Sequence, residues 1–202
     1  DAVRVGTVVA GQADVARQVA APDEAQFAGN GLELLAAPTN GVDNGLSFRF
    51  RTPQLDDIRV RQAIIAGIDR QAIVEALWGG LTVVPAGLQF ESFKATDMFI
   101  DGWAAPEFNP ELARKLLKEA NYKGDPIPYR LLNNYYTNQT ANAQIMVEMW
   151  KQVGLNVEIQ MKENWAQIHD PQGVKGVRDW SASNTINDPI TPMVVQFGPN
   201  GE

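Results

Sequence analysis

The stretch from Ile127 to Lys162, IPYRLLNNYYTNQTANAQIMVEMWKQVGLNVEIQMK, decides the fold that this sequence predicts. Its first six residues are mostly apolar and predict a strand. Its last six alternate between apolar and polar side chains, the period-two pattern of a half-buried strand. Between them, apolar side chains recur at helical spacing until Gly154, which predicts an amphipathic helix that ends at this glycine. A strand, a helix and a second strand in this order favour an α/β fold.

The segments immediately before this stretch carry clear helix signals. Asn109-Pro110-Glu111 combines a capping side chain, a proline suited to the first helical position and an acid that complements the helix dipole. Residues 53–80 predict two helices in quick succession, the first capped by Asp56 or Asp57 and the second by Asp69. Helices therefore precede the strand–helix–strand unit on its N-terminal side.

The first fifty residues carry weaker signals. The valines between residues 3 and 9 predict a strand, residues 14–19 a short helix, and the leucines between residues 32 and 35 another strand. Apolar and polar side chains alternate over residues 46–51, which predicts a half-buried strand.

The composition is that of an ordinary globular chain. The 202 residues are 45% hydrophobic and 20% charged, which corresponds to one generous domain or two small ones. The 17 basic and 24 acidic side chains give a net charge of −7, a field that repels nucleic acids and anionic membranes. No apolar run reaches the about 20 residues that span a bilayer. No signal peptide is recognisable at the first residues given.

The inventory of catalytic and metal-binding side chains is thin. The absence of cysteine excludes disulfides, zinc fingers and thiol nucleophiles, and the single histidine, His169, leaves no partner for a two-histidine metal site. We predict that His169 is a surface residue. Asp56 and Asp57 form an adjacent carboxylate pair that helix capping explains better than catalysis. No phosphate-binding loop, HExxH or GxSxG motif is present. The residues therefore predict a protein that is not an enzyme and that needs no metal and no cofactor.

Two segments rich in uncharged hydrogen-bonding side chains and aromatic rings are candidates for a binding site. They are residues 133–139 (NNYYTNQ) and residues 179–189 (DWSASNTINDP), both predicted to be loops that follow strands. Ligands of α/β sheets bind beyond the carboxyl ends of the strands, and aromatic rings with amides and hydroxyls hold small polar ligands. Composition alone leaves open whether these segments form one site or are two solvated loops.

Five segments, taken in order, carry recognisable motifs. They are residues 11–15 (GQADV), 53–64 (PQLDDIRVRQAI), 66–74 (AGIDRQAIV), 109–120 (NPELARKLLKEA) and 150–157 (WKQVGLNV). In this order and at this spacing they resemble the motifs of family 5 bacterial extracellular solute-binding proteins. This family contains the dipeptide, oligopeptide and nickel-chelate receptors of bacterial ABC importers.

The resemblance implies a fold and a role. The fold is one lobe of a type II periplasmic-binding-protein fold, α/β, with a mixed sheet flanked by helices. Residues 1–202 are expected to form a single ligand-binding lobe, the second of two, with the first lobe and the C-terminal return to it outside this chain. The role is that of the substrate-binding component of an ABC importer, monomeric and either periplasmic or anchored at the cell surface. A ligand-binding sensor or a protein-interaction module with the same fold is the alternative.

The partners implied are a small polar solute, such as an oligopeptide, an opine, a sugar or a chelate, and the membrane permease, with no nucleic acid. In peptide-binding relatives a tryptophan, which Trp180 matches, grips the ligand's amino group together with an aspartate three residues later. Ser183 occupies that position here. Dipeptide receptors also carry an arginine in the loop that matches residues 133–140, where this sequence has none. We therefore expect a ligand that is neutral or polyhydroxylated, or one whose charges are met by the other lobe. The predicted site residues are Trp180, Ser181, Ala182, Ser183 and Asn184 on one segment and Asn134, Tyr135 and Tyr136 on the other.

Overall fold

The structure of this chain is a computed structural model. It describes residues 2–17, 19, 23, 25–35, 42–48, 52–85, 93–94, 97, 99–104, 106–133, 135–170, 176–183, 191, 194 and 198–199. For residues 2, 28, 42–48, 182 and 183 it describes the backbone alone.

Eight helices and four strands lie within the described residues. In chain order they are α1 (Ala2–Val9), α2 (Ala25–Ala28), β1 (Val42–Phe48), α3 (Pro53–Asp56), α4 (Ile58–Ala66), α5 (Arg70–Trp78), α6 (Pro110–Glu119), β2 (Ile127–Leu132), α7 (Gln139–Val153), β3 (Val157–Lys162), α8 (Trp165–His169) and β4 (Val177–Ser183). Every helix in these ranges falls short of the length and apolarity that crossing a bilayer requires.

The four strands form one mixed sheet in the order β1-β4-β2-β3. β2 is parallel to both β3 and β4, whereas β1 runs antiparallel to β4. The helix α7 joins β2 to β3, since parallel neighbours need a crossover connection rather than a tight turn. The predicted α/β fold with a mixed sheet flanked by helices is therefore confirmed for the described part of the chain.

The helix ends lie where the sequence predicts them. Asp57, Asp69 and Asn109 each accept a hydrogen bond from a backbone N–H in the first turn of α4, α5 and α6. The guanidinium of Arg59 also donates to Asp57, and this hydrogen bond lowers the pKa of Asp57 to about 2. Gly154 ends α7 with a φ of 96°, a left-handed conformation that glycine adopts without steric cost.

The hydrophobic core is centred on Trp150 of α7, which is 0% exposed. Its ring meets the ring of Tyr129 on β2 edge to face, with the two centroids 5.9 Å apart. Its indole Nε1 donates a hydrogen bond of 2.9 Å to the backbone oxygen of Ile64 on α4. One side chain thus connects three elements, and it attaches the helices that precede the sheet to the sheet itself.

The predictions for the first thirty-five residues are wrong. Residues 2–9 form a helix rather than a strand. Val5 and Val8 are buried while Val3 is exposed, so the burial follows the three-residue spacing of a helix face. Residues 32–35 form no strand, and no helix forms over the described part of residues 14–19. A short run of valines or leucines suits either structure, and its tertiary contacts decide which one forms.

Gly176 lies where β4 first approaches β2. A Cβ atom at this position would overlap the backbone oxygen of Pro128 and lie 2.9 Å from its Cγ. We expect Gly176→Ala to push the two strands apart and to lower the free energy of unfolding by about 1–3 kcal/mol, measured by urea denaturation. The control is Gly6→Ala in α1, because no atom lies within 4 Å of its Cβ position. An unchanged unfolding free energy for Gly176→Ala would contradict this close approach.

Candidate functional site

The carboxyl ends of three strands meet at one edge of the sheet. β2, β3 and β4 are mutually parallel in direction, so the segments that follow them leave from the same edge. Residues 133–138 follow β2, and α8 follows β3 after a short turn. This edge is where ligands of α/β sheets bind.

The structure places the first part of the second predicted loop inside the sheet, which corrects that prediction. Trp180 and Ser181 lie in β4, where they pair with Gly45 and Asn44 of β1. The polar composition predicted a loop. β4 nevertheless lies between β1 and β2, and backbone hydrogen bonds to these two strands form whatever the polarity of its side chains. The backbones of Ala182 and Ser183 continue the same strand. The predicted site residues Asn134 and Asn184 lie outside the described residues.

Trp180 and Ser181 belong to opposite faces of the sheet, because successive side chains of a strand alternate. The hydroxyl of Tyr136 donates to Ser181 Oγ at 3.2 Å on the face that carries α7. The ring of Trp180 lies on the other face, beneath the guanidinium of Arg178, whose Cζ is 4.4 Å from the ring centroid. The two predicted segments therefore meet at this edge, but they do so on both faces of the sheet rather than in a single layer.

An aromatic cluster joins the edge to α8. We define it as Tyr135, Tyr136, Trp165, His169 and Trp180. The ring of Tyr135 meets those of Tyr136 and Trp165 edge to face, each with centroids 4.9 Å apart. Trp165 and His169 in turn meet Trp180 edge to face, with centroids 5.9 and 5.7 Å apart. The cluster holds Trp180 partly buried, whereas Tyr135 remains 59% exposed and is its most accessible aromatic ring.

His169 is not the surface residue that the sequence predicts. It ends α8, is partly buried, and its Nδ1 lies 2.7 Å from Nη1 of Arg178. Because a guanidinium only donates, this geometry uses an imidazole nitrogen as the acceptor. His169 thus supports the packing of Arg178 against Trp180. Within the described residues, no three His, Asp or Glu side chains are grouped to hold a metal ion.

A buried polar network fixes the loop that carries the two tyrosines. Gln139, the first residue of α7, is 3% exposed. Its Nε2 donates to Asp179 Oδ2 at 2.8 Å, and its Oε1 accepts from the backbone N–H groups of Tyr135 at 2.8 Å and Tyr136 at 3.3 Å. The hydroxyl of Tyr129 donates to the other oxygen of Asp179. A single amide therefore connects the central strand β4 to the tyrosine loop.

Burial sets the ionisation of this network. It raises the pKa of Asp179, and the hydrogen bonds from Tyr129 and Gln139 oppose that rise. The pKa of Tyr129 is also raised, by burial and by the adjacent Asp179 carboxyl. Burial likewise raises the pKa of Tyr136, while its hydrogen bond to Ser181 acts in the opposite direction. Sequence reasoning did not assign a role to Gln139 or Asp179. A signal was available for Gln139, since it stands between a polar loop and the apolar stripe of a helix.

An open pocket of about 590 Å³ lies at the ends of β2 and β3. Tyr135 belongs both to this pocket and to the aromatic cluster, so the two are continuous. Its lining combines apolar side chains with polar and charged ones. The lining residues are Leu132, Asn133, Tyr135, Met161, Lys162 and Glu163. Sequence reasoning missed Lys162 and Glu163, because a strand-end lysine and glutamate are ordinary surface residues until the fold places them beside a tyrosine loop.

The open pocket and the aromatic cluster lie at the edge of the sheet where ligands of α/β proteins bind. A profile of the bacterial extracellular solute-binding proteins, family 5, middle region, matches residues 1–201. The chain belongs to this family. The prediction made from the five motifs is thereby confirmed. Family 5 proteins are non-enzymatic transport receptors, which also confirms that the chain is not an enzyme.

Curated members of family 5 resemble part of the chain. A Brucella ovis protein named as an ABC transporter peptide-binding protein is 34% identical over 121 residues, which are 57% of this chain and 22% of that protein. The dipeptide-binding protein of Escherichia coli K12 is 29% identical over 135 residues, which are 63% of this chain and 24% of that protein. The chain therefore spans less than a quarter of the length of these two relatives.

Solved structures establish the fold. The structure of an ABC transporter substrate-binding protein from Sinorhizobium meliloti aligns with this chain at a TM-score of 0.71 and 23% identity. The alignment covers 96% of this chain and 41% of that protein. The structure of the dipeptide-binding protein of Pseudoalteromonas sp. SM9913 in complex with Met-Leu aligns at a TM-score of 0.68 and 20% identity. This alignment covers 95% of this chain and 39% of that protein. These likenesses confirm the predicted type II periplasmic-binding-protein fold.

Proposed function

We propose that this chain is a ligand-binding lobe of the substrate-binding component of a bacterial ABC importer. The lobe captures a peptide-like or other small polar solute at the carboxyl edge of its sheet. The observation that carries this proposal is the convergence, at that edge, of the aromatic cluster and the open pocket, with Tyr135 common to both. Membership of family 5 and the peptide-binding names of the relatives support it.

In this proposal residues 1–202 supply one side of a cleft, and a second lobe of a longer receptor supplies the other. The two lobes close over the solute by a hinge motion, which buries it and signals the loaded state to the permease. The receptor acts as a monomer in the periplasm or anchored at the cell surface. The names of curated relatives such as the periplasmic oligopeptide-binding protein of Escherichia coli K12 support this location.

The residues at the edge divide into contact and support roles. Tyr135 is the exposed ring and makes the first contact with the solute, while the hydroxyl pair of Tyr136 and Ser181 offers hydrogen bonds beside it. Trp180 contributes by holding the cluster, since Arg178 already covers one face of its ring. Ala182, Ser183, Asn134 and Asn184 remain proposed contacts from the same two segments.

Native mass spectrometry of the complete gene product that contains this chain tests the proposal. We expect a small solute to co-purify with the wild type and to be retained about tenfold less well by Tyr135→Ala, the loss that corresponds to about 1.4 kcal/mol of binding free energy. The control is Phe108→Ala, which removes an exposed aromatic ring from the segment before α6. No solute in the wild type, or equal retention by Tyr135→Ala and wild type, would contradict the proposed site.

A further inference from the structure

We propose that Arg130 and Arg178 form a binding site for a small inorganic anion of the size of chloride. The site lies on the face of the sheet that carries α8, and it shares no lining residue with the open pocket. This inference goes beyond the proposed function and does not depend on it, because it concerns an ion that stabilises the lobe rather than the solute that the lobe captures.

The pairing of β2 with β4 brings the two arginines together. Arg130 and Arg178 are register partners on these parallel strands, so their side chains leave the same face of the sheet. Nη1 of Arg130 donates to the backbone oxygen of Ile168 at 3.5 Å, and Nη1 of Arg178 lies 2.7 Å from His169 Nδ1. Both contacts are made to α8. The two guanidinium groups therefore lie between the sheet and that helix.

Burial makes this arrangement costly without an anion. Arg130 is 8% exposed and Arg178 is 6% exposed. A guanidinium stays protonated in proteins, so burial does not remove its charge. Neighbouring strands of a sheet lie only about 4.8 Å apart, and two cations that start from such strands repel each other strongly when little water separates them. A negative charge placed between them replaces this repulsion with two attractions.

Arg130 is short of hydrogen-bond acceptors. Among the described residues its one hydrogen bond is that to Ile168, which is longer than the roughly 3 Å of an ordinary N–H···O bond. Its Nε atom is buried and has no hydrogen-bond partner in the described part of the chain. Buried donors of native proteins are nearly always satisfied. The Nε atom of Arg130 therefore indicates an acceptor that the described residues do not supply.

The charges around the two arginines favour an anion. They line a small cavity of about 10 Å³, whose lining residues are Arg130, Ile168, His169, Asp170, Gly176, Val177 and Arg178. Asp170 adds one negative charge to this lining, whereas the arginines add two positive charges. His169 accepts a hydrogen bond from Arg178 and adds none. One positive charge therefore remains within the described lining, and one monovalent anion neutralises it.

The size of the cavity selects the kind of anion. A volume of about 10 Å³ holds roughly one water-sized sphere. A monatomic anion suits this space, whereas phosphate and organic carboxylates are too bulky for it. The anion would also hold the guanidinium of Arg178, whose Cζ lies 4.4 Å from the centroid of the Trp180 ring. Its binding therefore supports the aromatic cluster as well as the sheet.

Thermal unfolding of the complete gene product tests this site. Gluconate, a bulky organic anion, is replaced stepwise by chloride at a fixed ionic strength of about 0.5 M, so that screening stays constant. For the wild type we expect chloride to raise the melting temperature by about 2–4 °C, because an ion that binds only the folded state stabilises it. In Arg130→Met, which removes the charge and keeps an apolar stem, this increase should fall below about 1 °C. Arg114→Met, a change at an exposed position of α6, is the control and should keep the wild-type increase.

A bromide soak of wild-type crystals of the complete gene product gives a second measurement, one that does not depend on the folding of a variant. Bromide has the charge of chloride and nearly its size, and its anomalous scattering locates it. We expect an anomalous peak within about 3.5 Å of a nitrogen atom of each arginine. Equal melting temperatures of the wild type in the two salts, an equal chloride effect in wild type and Arg130→Met, or no bromide between the arginines would rule out the anion site. None of these results would affect the proposed capture of a solute at the carboxyl edge.

Discussion

Trp150→Ala is expected to destabilise the chain by about 3–5 kcal/mol, the range for truncating a fully buried tryptophan. The indole is 0% exposed, and it fills the space between α4, α7 and β2. Its removal also leaves the backbone oxygen of Ile64 without the Nε1 donor that satisfies it at the end of α4. Domains of this size are stable by only about 5–15 kcal/mol, so urea denaturation should show a large shift of the midpoint.

Two further variants make this prediction specific. Trp150→Phe keeps an aromatic ring but removes the donor and part of the indole, so we expect an intermediate loss of about 2–3 kcal/mol. Trp103→Ala removes a side chain that is 51% exposed, and its unfolding free energy should lie within about 0.5 kcal/mol of the wild type. Equal effects of Trp150→Ala and Trp103→Ala would show that Trp150 does not hold the core together.

Gln139→Glu is expected to make the stability of the chain strongly dependent on pH, with a loss of about 3 kcal/mol at about pH 7 relative to the wild type. The new carboxylate keeps one oxygen on the backbone N–H groups of Tyr135 and Tyr136. Its other oxygen takes the place of the Gln139 Nε2 group, which in the wild type donates a hydrogen bond of 2.8 Å to Asp179 Oδ2. Two buried carboxylates at this distance cannot both ionise, so they share a proton in the folded state.

The direction of the pH dependence follows from the raised pKa of this pair. A carboxyl whose pKa is higher in the folded than in the unfolded state favours folding at pH values below its unfolded pKa. That contribution is lost as the pH rises through the folded pKa. Asp179 alone already acts in this direction in the wild type, since burial raises its pKa. The difference in unfolding free energy between Gln139→Glu and wild type should therefore shrink as the pH falls from about 7 to about 4.

The matched control is Gln144→Glu, the same change on an exposed position of α7. Its stability should follow that of the wild type across this pH range, because an exposed carboxyl titrates with nearly the same pKa in the folded and the unfolded state. Equal pH profiles for Gln139→Glu and Gln144→Glu would overturn the role assigned to the contact between Gln139 and Asp179.

The network around Gln139 also explains how a loop rich in polar side chains presents a defined surface. The backbone N–H groups of Tyr135 and Tyr136 converge on one buried amide oxygen, and that amide is itself held by a carboxyl in the central strand. These hydrogen bonds hold the backbone at Tyr135 and Tyr136 in place without a ligand. Preorganisation of this kind reduces the entropy that binding must offset.

The local features of the fold were predictable from the sequence. The caps at Asp57, Asp69 and Asn109 and the stop at Gly154 lie at the predicted ends of their helices. These signals involve side chains and backbone groups within one helical turn, so a few consecutive letters are enough to specify them. The prediction of a strand for the valines of α1 is wrong, because a short run of valines is compatible with both a strand and a helix.

The site was only partly predictable, because its composition depends on which strands become neighbours. The polar and aromatic residues of the sequence indicated two segments that meet in the structure, through the hydrogen bond between Tyr136 and Ser181, and their role in binding stays a prediction. They did not indicate that Trp180 and Ser181 lie within the strand β4, where successive side chains belong to opposite faces of the sheet. Lys162 carried no signal of its own until the parallel pairing of β2 and β3 placed it beside Leu132 and Tyr135.

By itself, the sequence determined the class of fold and the ends of the helices, because periodicity and capping act between residues close in the chain. Its motifs, through their resemblance to those of family 5, also indicated the family. Only the tertiary structure decided the strand order, the face to which each edge residue belongs, and the pairing of Gln139 with Asp179, forty positions away. Such contacts depend on how distant segments share one core, and their free energy arises when the whole sheet and its helices pack together.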